Sequence, residues 1–112
     1  DRTLYEIYLP GFKAAAVEGK AWYFMGGYNL FRGEHASYNP ILMNQILKEE
    51  WQWDGAVISG WGAVHDTQTA IIGGLDMEFG SWTDGLTEGA SNAYDNYWLA
   101  NPYLKGIKEG IS

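Results

Sequence analysis

Three short apolar runs, separated by segments with helical periodicity, constrain the fold of this chain more than any other feature of its sequence. Residues 21–26 and 56–58 are apolar or aromatic without helical period, as in strands that are buried on both faces. Residues 75–79 alternate between apolar and acidic side chains, which is the period of two of a strand. Strands that alternate with helices usually lie parallel, with the helices as crossovers. The sequence therefore predicts an α/β fold.

Four segments with helical character lie around these runs, at residues 4–17, 39–51, 67–72 and 103–107. The first is predicted to end at Gly19. Asn39 followed by Pro40 is a favourable start for the second. The third has Asp66 as its expected N-cap, and the two glycines at residues 73–74 are well placed to end it.

Two further segments lack regular spacing: the polar residues 32–35 are predicted to be irregular, and the glycine-rich residues 81–96 a long loop. About three strand–helix units cannot close a barrel, because a complete (β/α)₈ barrel needs roughly 250 residues. An open doubly wound sheet is the structural alternative, although the Gly-rich phosphate loop that often marks such folds is absent. A third possibility, a free-standing small α/β domain, is not favoured, because its unpaired edge strands would associate.

Composition argues against several classes of function. The net charge is −7 and the seven Lys and Arg residues are scattered, so nucleic-acid binding, which needs clustered basic residues, is not expected. The chain has no cysteine, which excludes disulfides and thiolate metal sites. No apolar run is long enough to span a bilayer. Asp1 follows no initiator Met or leader, which predicts a processed chain or an excised piece.

Five motifs follow one another along the chain: RTLYEIYLPGF at residues 2–12, FMGGYN at 24–29, ILKEEW at 46–51, DGAVISGWG at 54–62 and GLDME at 74–78. Together and in this order they resemble glycoside hydrolase family 3. Several short motifs at matching spacing are more specific than any one of them alone. The resemblance implies that residues 1–112 are the C-terminal part of a (β/α)₈ TIM-type catalytic barrel, incomplete on its own.

The same resemblance implies a retaining exo-β-glycosidase of the β-glucosidase type. In this family a Ser-Asp-Trp sequence ends a barrel strand, and its aspartate attacks the anomeric carbon to form a covalent glycosyl-enzyme. Ser59 and Trp61 match the flanking positions, and Gly60 occupies the place of the nucleophile. The strand predicted over residues 56–58 puts Gly60 at a carboxyl end, where barrel enzymes hold their chemistry.

The missing carboxylate changes the expected activity. Retaining hydrolysis needs two carboxyl groups about 5 Å apart, and glycine offers neither. A protein with Gly60 is expected to bind a β-glucoside or β-linked oligosaccharide without hydrolysing it, or to act as a glycosynthase on an α-glycosyl fluoride. The resemblance implies that the remainder of the barrel and a second domain, which supplies the acid/base, are partners of this chain. The alternative from another class is a non-catalytic carbohydrate-binding or scaffold module.

The resemblance implies that three residues line the sugar pocket: Met25, Tyr28 and, as an aromatic wall, Trp61. Aromatic faces pack well on apolar surfaces such as the C–H face of a sugar. The structural alternatives are an ordinary core aromatic for Trp61 and a buried tyrosine with a satisfied hydroxyl for Tyr28.

The remaining ionisable residues have simpler interpretations. Asp76 and Glu78 share one face of the third strand, and anchoring the barrel end by hydrogen bonds is favoured over a catalytic pair. His35 and His65 are far apart in sequence and lack a ligand at helical spacing, so no metal site is expected. No cofactor is expected, and no membrane partner is expected because no apolar run is long enough to span a bilayer. The resemblance favours a periplasmic or secreted location over a cytoplasmic one.

Overall fold

The computed structural model describes residues 1–79, 95 and 97–110. Helix α1 consists of three consecutive helical stretches, Leu4–Tyr8, Pro10–Lys13 and Ala14–Glu18, and it is followed by α2 (Pro40–Glu50), α3 (Thr67–Ile72) and α4 (Asn101–Lys108). The strands are β1 (Tyr23–Met25), β2 (Leu30–Phe31), β3 (Glu34–His35) and β4 (Ala56–Ile58), and a 3₁₀ turn covers Ala36–Tyr38. Within these residues, no helix combines the length and the apolar character that crossing a membrane requires.

Strands β1 and β4 form a parallel pair, with Tyr23 opposite Ala56 and Met25 opposite Ile58. A single parallel bridge joins Ile58 to Met77. Helix α2 lies between β1 and β4 in the chain, and α3 lies between β4 and Met77. The predicted parallel strands with helical crossovers are therefore confirmed for this part of the molecule.

The two faces of the β1–β4 pair have different environments, because successive side chains of a strand point to opposite sides. One face, the outer face, carries Phe24 and Val57 and packs against the helices. The other, the inner face, carries Tyr23 and Met25, which are exposed. The hydrophobic core lies beneath the outer face and consists of Ala16, Tyr38, Leu47, Trp53, Val57, Val64, Ala70 and Leu75.

The ends of α2 and α3 lie where the sequence predicts them. Asn39 accepts hydrogen bonds from the first backbone N–H groups of α2 through Oδ1, and its Nδ2 donates to the Phe31 carbonyl at 2.7 Å. Asp66 caps α3 by accepting from the Thr69 N–H at 2.8 Å. Gly73 directly follows α3 and packs against the backbone of Tyr38. A Cβ at this position would lie 1.7 Å from the Tyr38 carbonyl oxygen. A glycine is therefore required at this helix end.

The polar stretch 32–35 is more regular than predicted. It belongs to an antiparallel hairpin in which β2 pairs with β3. Arg32 and Gly33 form the turn, with φ values of 51° and 87°. Two successive residues with positive φ match the right-handed twist of a hairpin, and glycine adopts such values without strain.

The third predicted strand is shorter than residues 75–79. Its backbone pairs with β4 through the Met77 N–H, which donates to Val57, and the Met77 carbonyl, which accepts from Ser59. The described residues provide no further strand at its other edge. The loop predicted over residues 81–96 lies, except for Asp95, outside the described residues, whereas the predicted last helix is confirmed as α4.

Candidate functional site at the carboxyl ends of the strands

The candidate site lies where β1 and β4 end side by side. Because the two strands are parallel neighbours, their carboxyl ends meet at the same edge of the sheet. The Gly26 N–H donates to the Ile58 carbonyl at 2.8 Å and extends the pairing beyond β1. Tyr28 follows this edge on one strand, and Gly60 follows it on the other.

The backbone at Gly60 directs any side chain there toward Tyr28. A Cβ at this position would lie 3.0 Å from Tyr28 Cε1 and 3.1 Å from the Gly26 carbonyl oxygen. Both contacts are tight: the first is with the edge of an exposed ring, which can move by a few tenths of an ångström, and the second is with the backbone of the neighbouring strand end. The structure thus brings together two residues that the sequence analysis assigned to one site.

Ser59 holds the neighbouring strands in place beneath this edge. It is fully buried, and its Oγ accepts a hydrogen bond from the Phe79 N–H at 2.8 Å. A buried hydroxyl needs such a partner, since an unpaired one would be destabilising. Ser59 therefore has a structural role next to Gly60.

Trp61, Tyr28 and Met25 are all solvent-accessible in this chain. Their exposed fractions are 55%, 61% and 68%, respectively. The Trp61 ring meets the ring of Phe79 edge to face, with centroids 6.1 Å apart. Phe79 was not identified from the sequence as a neighbour of the site.

The two carboxylates of the third strand serve as anchors. Asp76 accepts from the Val57 N–H at 2.8 Å and forms an ion pair with Lys48 at 2.9 Å. The Glu78 carboxylate accepts from the backbone N–H groups of Trp98 and Leu99. The favoured structural interpretation of this pair is confirmed.

His35 and His65, distant in sequence, are stacked in the structure. Their ring centroids are 4.2 Å apart with an interplanar angle of 25°. Partial desolvation, followed by the proximity of His35, lowers the pKa of His65. Within the described residues, no three His, Asp or Glu side chains are grouped closely enough to hold a metal ion. The sequence contains no signal for the pair, because only the fold brings β3 beside the loop after β4.

A cavity of about 900 Å³ lies at the opposite, amino ends of β1 and β4. Trp22, Trp53 and Asp54 contribute to its lining. The Trp53 Nε1 donates to the Ala21 carbonyl at 2.6 Å and fixes the start of β1 there. This cavity is separate from the site that contains Gly60.

No protein-family model matches the chain, but sequence and structural relatives do. Beta-glucosidase BoGH3A from Bacteroides ovatus is 56% identical over 110 residues, which are 98% of this chain and 15% of that protein. The crystal structure of a GH3 beta-glucosidase from Bifidobacterium adolescentis superposes with a TM-score of 0.80 at 28% identity. This match covers 100% of this chain and 14% of that one.

The chain belongs to glycoside hydrolase family 3. DesR, a beta-glucosidase from Streptomyces venezuelae solved in complex with D-glucose, superposes on this family member with a TM-score of 0.84 at 30% identity. The match covers 99% of this chain and 14% of DesR. The chain thus spans about a seventh of the length of these relatives.

Proposed function

We propose that residues 1–112 form part of the catalytic (β/α)₈ barrel of a retaining exo-β-glycosidase that acts on β-glucosides. The observation that carries this proposal is the direction of the residue 60 side chain, toward Tyr28 at the carboxyl ends of two parallel strands. Barrel enzymes keep their catalytic residues at this end. Met25, Tyr28 and Trp61 line the non-reducing sugar pocket, and their exposure at this end supports that role.

In the hydrolytic reaction, a carboxylate at position 60 forms a bond to the anomeric carbon as the glycosidic C–O bond breaks. The leaving oxygen takes a proton from the acid/base, which a second domain supplies. Water then attacks the anomeric carbon, its proton passes to the acid/base, and the bond to the carboxylate at position 60 breaks. The described chain holds Asp76 and Glu78 in structural hydrogen bonds, so neither is assigned to this chemistry.

Glycine at position 60 cannot form the covalent intermediate. An α-glycosyl fluoride occupies the space of the absent carboxylate, and an acceptor hydroxyl attacks the anomeric carbon as fluoride leaves. The acceptor proton passes to the acid/base. The protein with Gly60 is thus a sugar-binding protein with synthase rather than hydrolase chemistry.

A second candidate is a carbohydrate-binding module without catalysis. The residue that favours it is Gly60 itself, because exposed aromatic side chains such as Tyr28 and Trp61 can bind sugar without a nucleophile beside them. A periplasmic or secreted location stays a prediction under either function.

The test is Gly60→Asp in the full-length protein, with Gly60→Asn as the matched control. Asparagine fills the same volume without an anionic nucleophile. We expect the aspartate variant to hydrolyse an aryl β-glucoside at least about 10³-fold faster than the glycine protein, since losing a catalytic nucleophile typically costs several orders of magnitude. The asparagine variant should stay inactive. Equal rates for all three proteins would contradict the glycosidase assignment, and glucose binding without hydrolysis would favour the binding module.

A further inference from the structure

The stacked pair of His35 and His65 joins two segments of the candidate site. The rings are 4.2 Å apart and nearly parallel. Uncharged aromatic rings attract each other in such arrangements, whereas two imidazolium rings at the same distance repel. Protonation of both rings therefore weakens this contact.

His35 connects the pair to the segment that carries Tyr28. It ends β3, and its Nδ1 lies 3.5 Å from the Tyr28 carbonyl oxygen. A carbonyl only accepts, so a hydrogen bond here requires the tautomer with the proton on Nδ1. The adjacent Ala36 N–H donates to the Asn29 carbonyl at 2.8 Å. The position of the His35 ring is thus coupled to the backbone at Tyr28.

His65 connects the pair to the segment that carries Gly60 and Trp61. The Ala63 N–H donates to the Gly60 carbonyl at 3.1 Å, and Val64 is buried in the core. His65 follows at the end of this segment, directly before the N-cap of α3.

We propose that the His35–His65 stack is a positioning clamp, which holds the Tyr28 segment against the Trp61 segment at neutral pH and releases it in acid. This inference rests on the proposed function, since the clamp orders a sugar site. The clamp acts directly on the Tyr28 segment and the Trp61 segment. It changes sugar affinity because it keeps these two segments in a fixed position.

Ionisable groups from each neighbouring element surround the stack. Glu34 lies on β3 and accepts from the His35 backbone N–H at 2.9 Å. Tyr38 comes from the 3₁₀ turn, with its ring 5.6 Å from that of His35. Burial raises the pKa of Tyr38 to about 12, so its phenol stays neutral. Asp66 is held by hydrogen bonds to Thr69 at the start of α3.

The sign of the pH effect follows from His65. Partial desolvation of the exposed His65 ring and, next, the charge of His35 lower the pKa of His65 below its ordinary value of 6.5. A folded state that lowers a histidine pKa favours the neutral ring. This stabilisation is complete above pH 6.5 and is lost as the pH falls through the lower pKa.

The experiment compares hydrogen–deuterium exchange, corrected for intrinsic rates, in the full-length protein and its His35→Phe and His65→Phe variants. Phenylalanine keeps a stacked ring but cannot be protonated. Between about pH 7.5 and about pH 5, the histidine range, we expect protection of residues 28–36 and 60–66 to fall several-fold in the parent protein. Both variants should stay protected, and D-glucose affinity should fall about tenfold, a typical coupling between two sites, in the parent alone.

Each outcome decides a different point. Protection that is independent of pH in the parent, or that falls equally in both phenylalanine variants, overturns the clamp. If protection falls as expected but glucose affinity is unchanged, the positioning role is overturned. If no protein binds glucose at any pH, the proposed function fails, while the exchange comparison still decides whether the clamp exists. A circular dichroism spectrum identifies a variant that does not fold, and the parent protein is then compared with the other phenylalanine variant alone.

Discussion

The two faces of the β1–β4 pair differ in how completely this chain covers them. On the outer face Val57 is fully buried, and Phe24 meets Trp53 edge to face at 5.1 Å. On the inner face Tyr23 is 59% exposed, and Met25 is exposed as well. The helices of this chain cover one side of the sheet, and the described residues leave the other side open.

This difference shows which interactions the chain supplies by itself. The outer face has the packed core that a folded layer of helices on strands requires. The inner face presents aromatic and aliphatic side chains, and contiguous apolar surface of this kind commonly marks an interaction site. The asymmetry supports the proposal that the remainder of a barrel covers the inner face. Three experiments test this difference between the two faces.

The largest expected effect concerns the 112-residue chain on its own. With the inner face and strand edges uncovered, we expect it to self-associate and to lack a cooperative unfolding transition, because exposed edges and apolar faces promote association. Sedimentation velocity and thermal melting followed by circular dichroism test this. A monomer that melts in one sharp transition would instead identify a self-sufficient small domain.

A smaller effect is expected from Tyr23→Ala in the full-length protein. If the rest of a barrel buries Tyr23, its truncation should cost about 3–5 kcal/mol, as for other large aromatic side chains in cores. The measurement is the free energy of unfolding from denaturant titration, with Val57→Ala as a reference for the covered outer face. A change within about 0.5 kcal/mol, typical of a surface position, would mean that the inner face stays open to solvent.

The smallest effect tests the helical layer over the outer face. Asp66→Ala removes the N-cap of α3 and should cost about 1 kcal/mol, whereas Asp66→Asn retains a cap and should cost little. Hydrogen bonds from Thr69 lower the pKa of Asp66. The capping contribution is therefore full above the ordinary value of 3.8 and is lost as the pH falls further. Equal stability of both variants near pH 7 would show that the cap contributes nothing.

Local sequence signals predicted the regular elements well. Asn39 and Asp66 marked helix starts because their side chains accept hydrogen bonds from free backbone N–H groups. Pro40 marked the first helical position because proline has no N–H that would need a partner there. The pair Arg32 and Gly33 was missed, because a hairpin turn depends on positive φ values that Arg rarely adopts. The third strand was predicted to be longer than it is. Alternation with a period of two does not show whether a neighbouring strand is present to complete the hydrogen-bond ladder.

The candidate site was partly predictable. Gly60 and Trp61 follow from a motif within one strand end, and Tyr28 from a motif at another. Their mutual contact required the parallel register of β1 and β4. Phe79 and the histidine stack carried no sequence signal, since neither has a partner at a fixed spacing.

The order of the helices and of the parallel strand segments, the positions of the caps and the absence of a carboxylate at position 60 were determined by the sequence alone. These features depend on a few neighbouring residues and on short-range sterics and hydrogen bonding. The direction of the residue 60 side chain, the unequal faces of the sheet and the meeting of His35 with His65 were decided by the tertiary structure. They depend on the packing of segments that are distant in the chain, which local periodicity does not encode.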